Sequence, residues 1–389
     1  MRRLAFVVTL ICLFGEQFAH GQRDRIKVEW PSAEFRTFQA FVDEVPNGAL
    51  IEIRPGDYPM GPVFVRGKTL DFAGAGSGRK TGKPVTRLLG PAPRPVVDEE
   101  GNLLQPADSV TGLFNLIAAN VVIRDLVMEG SDAAVVTRND EDGNSGPTLI
   151  QDVVINGAGR GINALGSGDL MIMDTVIQNP LWHGISVSPQ DATILHVQDT
   201  VILTPFCAGA FFTNTSSAFT NVTISGASCG GIVGIQGKGA LILDSHLLQN
   251  GLAGILLFET PGAFIGDNLI EQTFAGSINH PALKISCAAH PDCGGDGIEL
   301  LASGHITSID LRGNTIQNSH RGALAVWGSR AALEDNTMTC SAFDIDVESF
   351  QGVNSSLDDL GGNRCGCGGP LGECLAVSAS LGPPPFIQP

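Results

Sequence analysis

The stretches DTVIQNPLWHGISVS, residues 174–188, and DTVILTPFCAGAFFT, residues 199–213, open on the same four residues 25 positions apart. In each, a glycine follows the isoleucine by seven residues and leads a β-rich run, Gly184 before ISVS and Gly209 before AFFT. The first half of the phrase recurs along the chain as DLVM, DVVI, DTVI, DTVI, NVTI, DSHL, DNLI, GNTI and DNTM. Its aliphatic anchors are Met128, Ile155, Ile177, Ile202, Ile224, Leu247, Ile270, Ile316 and Met338. Their spacings are 27, 22, 25, 22, 23, 23, 46 and 22 residues. The step of 46 reads as two periods in which one anchor is missing.

The second half recurs as well, with Gly161, Gly231, Gly254, Gly297 and Gly322 leading GINAL, GIVGI, GILLF, GIELL and GALAV. Gly297 stands late, 27 residues after Ile270, which marks an inserted loop at 271–296. A period of about 22–23 residues is too short for the usual helical repeats and too long for an array of hairpins. The leucine-rich phrase of similar period does not recur. Inward aliphatics alternate with outward small or polar residues, as Ile185 and Val187 do around Ser186. The pattern predicts an all-β chain, a single right-handed parallel β-helix of about ten coils. At about 4.8 Å per coil the stack would be about 45–50 Å long.

At the N-terminal side, Phe35, Phe38, Phe41, Val42 and Val45 fall at helical spacing behind Ser32, predicting a capping helix over 32–45. ALIEIR follows as a strand and stops at Pro55-Gly56. Before it, Arg2 and Arg3 precede the apolar run LAFVVTLICLF, with Ala19 and Gly21 at small-residue positions. This pattern predicts a signal peptide at 1–21 and a secreted β-helix domain at 22–389. Residues 83–113 read as a loop insertion, and 340–389 as a Cys/Gly/Pro-rich C-terminal cap and tail. No stretch is long and apolar enough to predict a membrane span.

The formal charge is −17, and removing residues 1–21 changes it to 21 − 39 = −18. Such a chain repels nucleic acid, and it also repels a polyanionic sugar unless a cation or basic patch intervenes. GAGSGRKTGKP at 74–84 fails as a nucleotide loop, because the Gly76–Gly82 spacing is one residue too long and Pro84 stands where Ser or Thr is required.

The opening FRTFQAFVDEVPNGALIEIRPGDY and the coil phrases together resemble the pectin-lyase-like β-helix superfamily, over roughly residues 35–365. That superfamily holds lyases, hydrolases, esterases, epimerases and non-enzymes, so the resemblance specifies fold more sharply than chemistry. HGISVS at 183–188 resembles the GHGxSxGS signature of polygalacturonases. One coil earlier, however, Arg160 and Gly161 stand where that family's paired aspartates would be. VQDTVIL at 197–203 resembles the QDT phrase of pectin methylesterases, but the next coil, TNVTISG, lacks their DFIFG phrase. Neither activity carries over.

In a stacked coil, residues one period apart become neighbours, so candidate sites are columns. One column precedes the anchors and is mostly aspartate, including Asp152, Asp174 and Asp199. It reads either as turn-capping carboxylates or as a row of calcium sites. A second precedes the strand glycines: Arg160, His183, Ala208, Gly230, Ala253, Asp296 and Arg321. Charged ends around a small-residue floor would form a trough for a few sugar rings, or else a row of ordinary solvated turn residues. A third, two residues beyond each glycine, runs Asn163, Ser186, Phe211, Val233, Leu256, Glu299 and Leu324, with an apolar middle that would be exposed.

These columns give the expected roles. Lyase or epimerase chemistry needs a base and a cation, for which Asp296 or His183 and Arg321 or Arg160 are the candidates. Trp182, Phe211 and Glu299 are candidates for contacting substrate. Eight cysteines remain after the leader, which favours disulfides in an exported chain. Cys207 and Cys229 fall on adjacent coils, and Cys340, Cys365, Cys367 and Cys374 would tie the C-terminal cap. Cys287 and Cys293 form a disulfide or, with His290 and His280, a zinc site.

The sequence therefore predicts a secreted protein, whether extracellular, periplasmic or at the cell surface, that binds or processes an extracellular polysaccharide. If an enzyme, it would be a lyase, epimerase or glycoside hydrolase. The other class is a non-catalytic β-helix used for adhesion or display.

Overall fold

The computed structural model describes residues 25–379 except 80–81, 83, 94–95, 98–102, 105–109, 190, 192, 276–278, 281–284, 287–293 and 304–307. The leader expected at 1–21 lies outside the described residues, as does the question of zinc or disulfide at His280, Cys287, His290 and Cys293.

The chain winds into a right-handed β-solenoid of about 13 turns. One face is a twelve-stranded sheet running from Val63–Arg66 through Ile185–Val187 and Asp296–Leu301 to Ala376–Val377, each strand parallel to the next. A second, 23-stranded system supplies the other faces. The sequence led to about ten turns because the first coils, built from Lys27–Trp30, Leu50–Ile53 and Thr69–Ala73, lack the Asp-led phrase.

The anchors behave as expected. Ile155, Ile177, Ile202, Ile224, Leu247, Ile270, Ile316 and Met338 pair in register one coil above another and are buried in the core. The pairing of Ile270 with Ile316 corrects the reading of the 46-residue step. It is a single coil enlarged by an insertion, not two coils with an anchor missing. Spacing alone cannot separate these cases, because the inserted length is close to one period. The insertion at 83–113 is likewise narrower than expected, since Thr86–Leu89 and Gly112–Ile117 are strands of the stack.

Several coils take a left-handed backbone at three corners. In the coil beginning at Asp199 they are Asp199, Thr204 and Asn214, at φ of 49°, 49° and 50°, before the next coil resumes at Asn221. The column before the anchors is the first of these corners: Asp125, Asp152, Asp174, Asp199, Asn221, Asp244, Asp267, Gly313 and Asp335 all have φ between 48° and 65°. That conformation costs most L-residues about 1–2 kcal/mol and is best tolerated by Gly, Asn and Asp. The aspartate column is therefore conformational. Asp199 further accepts hydrogen bonds from Asn221 Nδ2 at 2.6 Å and Gln198 Nε2 at 2.9 Å. Among the described residues no three His, Cys, Asp or Glu side chains converge as metal ligands.

Immediately after this corner the chain turns inward and builds a polar ladder. Asn268 Nδ2 donates to Asn314 Oδ1 at 3.0 Å, Asn314 to Asn336 at 2.9 Å, and Asn336 to Asn363 at 3.0 Å. Each amide also reaches a backbone carbonyl, of Ile242, Ile265 and Leu311 respectively. Because every rung is satisfied, buried amides are tolerated inside an otherwise aliphatic core.

Helix is scarce. One seven-residue helix, Phe38–Glu44, starts at Thr37, whose hydroxyl accepts the Ala40 N–H, rather than at Ser32. Phe38 packs on Trp30 and Phe72, and Phe72 on Phe114, joining the helix to the coil interior. Disulfides link Cys207 to Cys229 on adjacent coils, Cys340 to Cys367, and Cys365 to Cys374. No helix among the described residues is long and apolar enough to cross a membrane.

Candidate functional site

The outward side of the twelve-stranded sheet carries two clusters of polar side chains separated by an apolar stretch. Four strand steps lie between the His183 corner and Asp296, about 19 Å at the spacing of paired strands. The structure therefore does not bring His183 and Arg160 together with Asp296 and Arg321.

At the first cluster, His183 is a buried, oriented side chain. Its Nδ1 accepts the backbone N–H of Ala208 at 3.2 Å, and its ring stacks on Phe211 with centroids 5.3 Å apart. The nitrogen that would serve a base is thus occupied. Trp182, expected to contact sugar, is 1% exposed and packs against Phe206, Cys207 and Cys229. Phe211 remains partly exposed, but His183 takes one of its faces. Arg160 is buried beside them. Asn163, next along the sheet, is fully buried with neither amide atom hydrogen-bonded, a feature that no spacing in the sequence signals.

The apolar middle is not exposed as expected. Val233, Ala253, Leu256, Phe258, Leu301, Ala325 and Trp327 form a buried cluster distinct from the core.

The second cluster is built at its far end. Asp296 and Glu299 lie on one strand and both are fully buried. Arg321, from the turn before the next strand, donates through Nε to Asp296 Oδ2 at 2.9 Å and through Nη2 to the same oxygen. Asp296 Oδ1 accepts the Gly322 N–H at 2.6 Å. The guanidinium also lies over the Trp327 ring, 5.1 Å from its centroid, and 3.9 Å from Glu299 Oε1.

The register of these strands departs from the alignment of their glycines. Ile298 pairs with Leu324, so Asp296 stands opposite Gly322 and Glu299 opposite Ala325. Leu324 points into the core, and Arg321 belongs one position before the column in which the sequence placed it. The next pairing sets Asp346 beside Ala325, in line with Glu299. Sequence spacing misses Asp346 for this reason: once Gly322 is aligned with the earlier glycines, every outward residue after it is assigned one place off. Its Oδ1 accepts the Ala379 N–H at 3.0 Å, while Oδ2 is buried without a partner.

The electrostatics separate the three carboxyl groups. Asp296 is committed to Arg321. Glu299 accepts no hydrogen bond on either oxygen, and burial, reinforced by the neighbouring charge of Asp296, raises its pKa well above the usual carboxyl value. Arg321 only partly opposes the shift. Burial likewise raises the pKa of Asp346, against the Ala379 N–H. Burial opposes the charge of Arg321, but Asp296 and then Glu299 outweigh it and hold the guanidinium protonated. The arrangement is a fixed ion pair with a carboxyl group of raised pKa beside it.

Fold and site define a class, the right-handed parallel β-helix. Residues 160–343 match the family described as "Right handed beta helix region". Among solved structures, the chain resembles the A-module of Azotobacter vinelandii mannuronan C-5 epimerase AlgE4, with TM-score 0.51, 14% identity, and coverage of 88% of this chain and 94% of that one. It also resembles the catalytic domain of a GH87 alpha-1,3-glucanase solved with nigerose, with TM-score 0.50, 12% identity, and coverage of 88% and 69%. At these identities the likeness is one of fold. No curated protein matches the sequence.

Proposed function

We propose that this is a secreted β-helix protein that binds or processes an extracellular polysaccharide, with Asp296, Glu299 and Arg321 at its working centre. One observation carries the reading: Glu299 is a fully buried carboxyl group that accepts no hydrogen bond and sits beside a fixed ion pair. Leaving such a group unsatisfied costs the fold about 1–3 kcal/mol, which a role in chemistry or binding would explain. The two fold relatives act on mannuronan and on alpha-1,3-glucan by their names, which supports a glycan as the ligand class.

A carboxyl group whose pKa is raised suits an acid better than a base. Glu299 would give its proton to the glycosidic oxygen as the anomeric C–O bond breaks, water would add to the anomeric carbon and return a proton to Glu299, and Arg321, set by Asp296, would fix the sugar beside it. This favours hydrolysis over lyase or epimerase chemistry, whose base the sequence had sought in Asp296 or His183. The disulfides and the apolar N-terminal leader support export. The helix Phe38–Glu44, packed onto Phe72, serves in this reading as the N-terminal cap. Because the cluster is buried, a glycan reaches it only by opening this face.

Incubating the protein with a panel of polysaccharides, and measuring new reducing ends and unsaturated products, tests the proposal. The expected result is reducing-end release that Glu299→Gln abolishes. The complete burial of Asp296 and Glu299 favours the second reading, a non-catalytic rod for adhesion or display in which the cluster is a structural knot. Silence across the panel, with unchanged binding in Glu299→Gln, would establish that reading instead.

A further inference from the structure

We infer that Met171, Met173 and His196, on the outer surface of the 23-stranded system, form a site for one soft monovalent cation, Cu(I) or Ag(I). The site lies on another face of the solenoid from Glu299 and stands apart from the polysaccharide reading.

Strand register builds the group. Leu170 and Ile172 on the strand Leu170–Met173, and Leu195 and Val197 on the strand Thr193–Gln198, belong to the core. Alternation therefore turns Met171, Met173, His196 and Gln198 outward. Met171 pairs with His196 and Met173 with Gln198, so each pair of Cα atoms lies about 4.8 Å apart. Two of the six methionines of the chain thus share one patch with a histidine.

His196 supplies a second, independent observation. It faces outward yet is only 3% exposed, and neither ring nitrogen makes a hydrogen bond among the described residues. Buried polar atoms nearly always have partners, so two unmet nitrogens on one ring point to a ligand. Burial lowers the pKa of the ring, against a smaller opposing effect of Gln198, which favours the neutral imidazole that binds metal. Met171 is buried beside it, whereas Met173 and Gln198 are partly exposed and leave an approach from solvent.

The donors select the ion. Thioether sulfur is a soft, uncharged ligand that favours Cu(I), and imidazole binds copper as well. Three rotatable bonds let each methionine turn its sulfur toward an ion held by the ring. Three neutral donors leave the second charge of a divalent ion unmatched in a buried place. Asp174 and Asp199, at the corner that ends these strands, add a negative field that favours the approach of a cation.

The test uses the whole protein with the three cysteines outside the described disulfides, Cys12, Cys287 and Cys293, replaced by serine to remove competing thiols. It is titrated anaerobically with Cu(I) against a chromogenic Cu(I) chelator, and with Ag(I) and Zn²⁺ in parallel. The expected result is one Cu(I) per chain, with a melting temperature raised by Cu(I) and Ag(I) and not by Zn²⁺. Met171→Leu with Met173→Leu conserves volume, and His196→Gln keeps a polar side chain. Each should weaken Cu(I) binding at least about tenfold, whereas Met60→Leu should leave it unchanged. X-ray absorption at the copper edge should show both sulfur and nitrogen ligands. No uptake of Cu(I), uptake that survives both variants, or a ligand shell without sulfur would overturn the site, the last even where a variant fails to fold. Zn²⁺ bound as tightly as Cu(I), and lost with His196→Gln, would overturn the assignment to a soft monovalent ion.

Discussion

Two rows of acidic side chains run along this coil, and they exist for different reasons. The corner row, from Asp125 to Asp335, repeats in nearly every turn, sits at left-handed φ, and alternates freely with Asn221 and Gly313. The face row, Asp296, Glu299 and Asp346, does not repeat, is buried, and gathers around one arginine. A residue that recurs with the coil is explained by what every coil needs. One that breaks the pattern, in a place where burial is costly, needs a reason of its own. On that ground the face row is the better candidate for function.

The largest expected effect is in the face row. Arg321→Ala leaves Asp296 buried without its partner, and it should cost about 3–5 kcal/mol in urea denaturation. Replacing Asp296 and Arg321 together by apolar residues of similar volume should cost much less, because no charge is then stranded. A loss below about 1 kcal/mol for Arg321→Ala would place the pair in the weak class of surface ion pairs, and the contrast between the rows would collapse.

The two rows also differ in how far the sequence could reveal them. The corner row, the anchors and the β-helix were legible because a repeat samples the same local constraint many times. The φ that selects Asp, Asn and Gly needs no tertiary information. The face row depends on register between strands that are distant in sequence. Gly322 follows its anchor by six residues and Gly297 follows its anchor by 27, so aligning glycines misplaces Arg321 and hides Asp346. Asp296, Arg321 and Glu299 still stand out, because all three are unusual among the small and aliphatic residues of their columns. Their roles are harder to read. That His183 would be consumed by the Ala208 N–H, and Trp182 by the disulfide beside it, depends on burial that no spacing encodes.

A smaller effect is expected in the pH dependence of stability. The folded pKa of Glu299 is raised above its unfolded value of about 4.3, so the folded state binds more protons than the unfolded state between those two values. Stability is therefore fully present below the unfolded pKa and is lost as pH rises through the folded one. Asp346 acts in the same direction. The contributions of Glu299 and Asp346 to melting temperature should therefore fall as pH rises above about 4. Glu299→Gln removes one such proton and should flatten the dependence by at most about 1.4 kcal/mol for each step of one in pH. A slope of the opposite sign, or one untouched by Glu299→Gln, would show that Glu299 is not the proton-holding group.

The smallest effects are expected in the corner row, where substitution separates conformation from charge. Asp244 has φ of 50°. If its conformation is what matters, Asp244→Asn and Asp244→Gly should each change stability by no more than about 0.5 kcal/mol, because both residues tolerate that φ. Asp244→Val keeps a side chain but cannot adopt the left-handed corner cheaply, and should cost about 1–2 kcal/mol. A calcium row predicts a different order, with Asn and Gly both losing a ligand charge and the wild type gaining thermal stability on calcium addition. Thermal melts of the wild type and the three variants, each with calcium and with chelator, distinguish the two orders directly. Equal tolerance of Asn and Gly with no calcium shift would confirm the corner row as a backbone requirement, repeated along the stack.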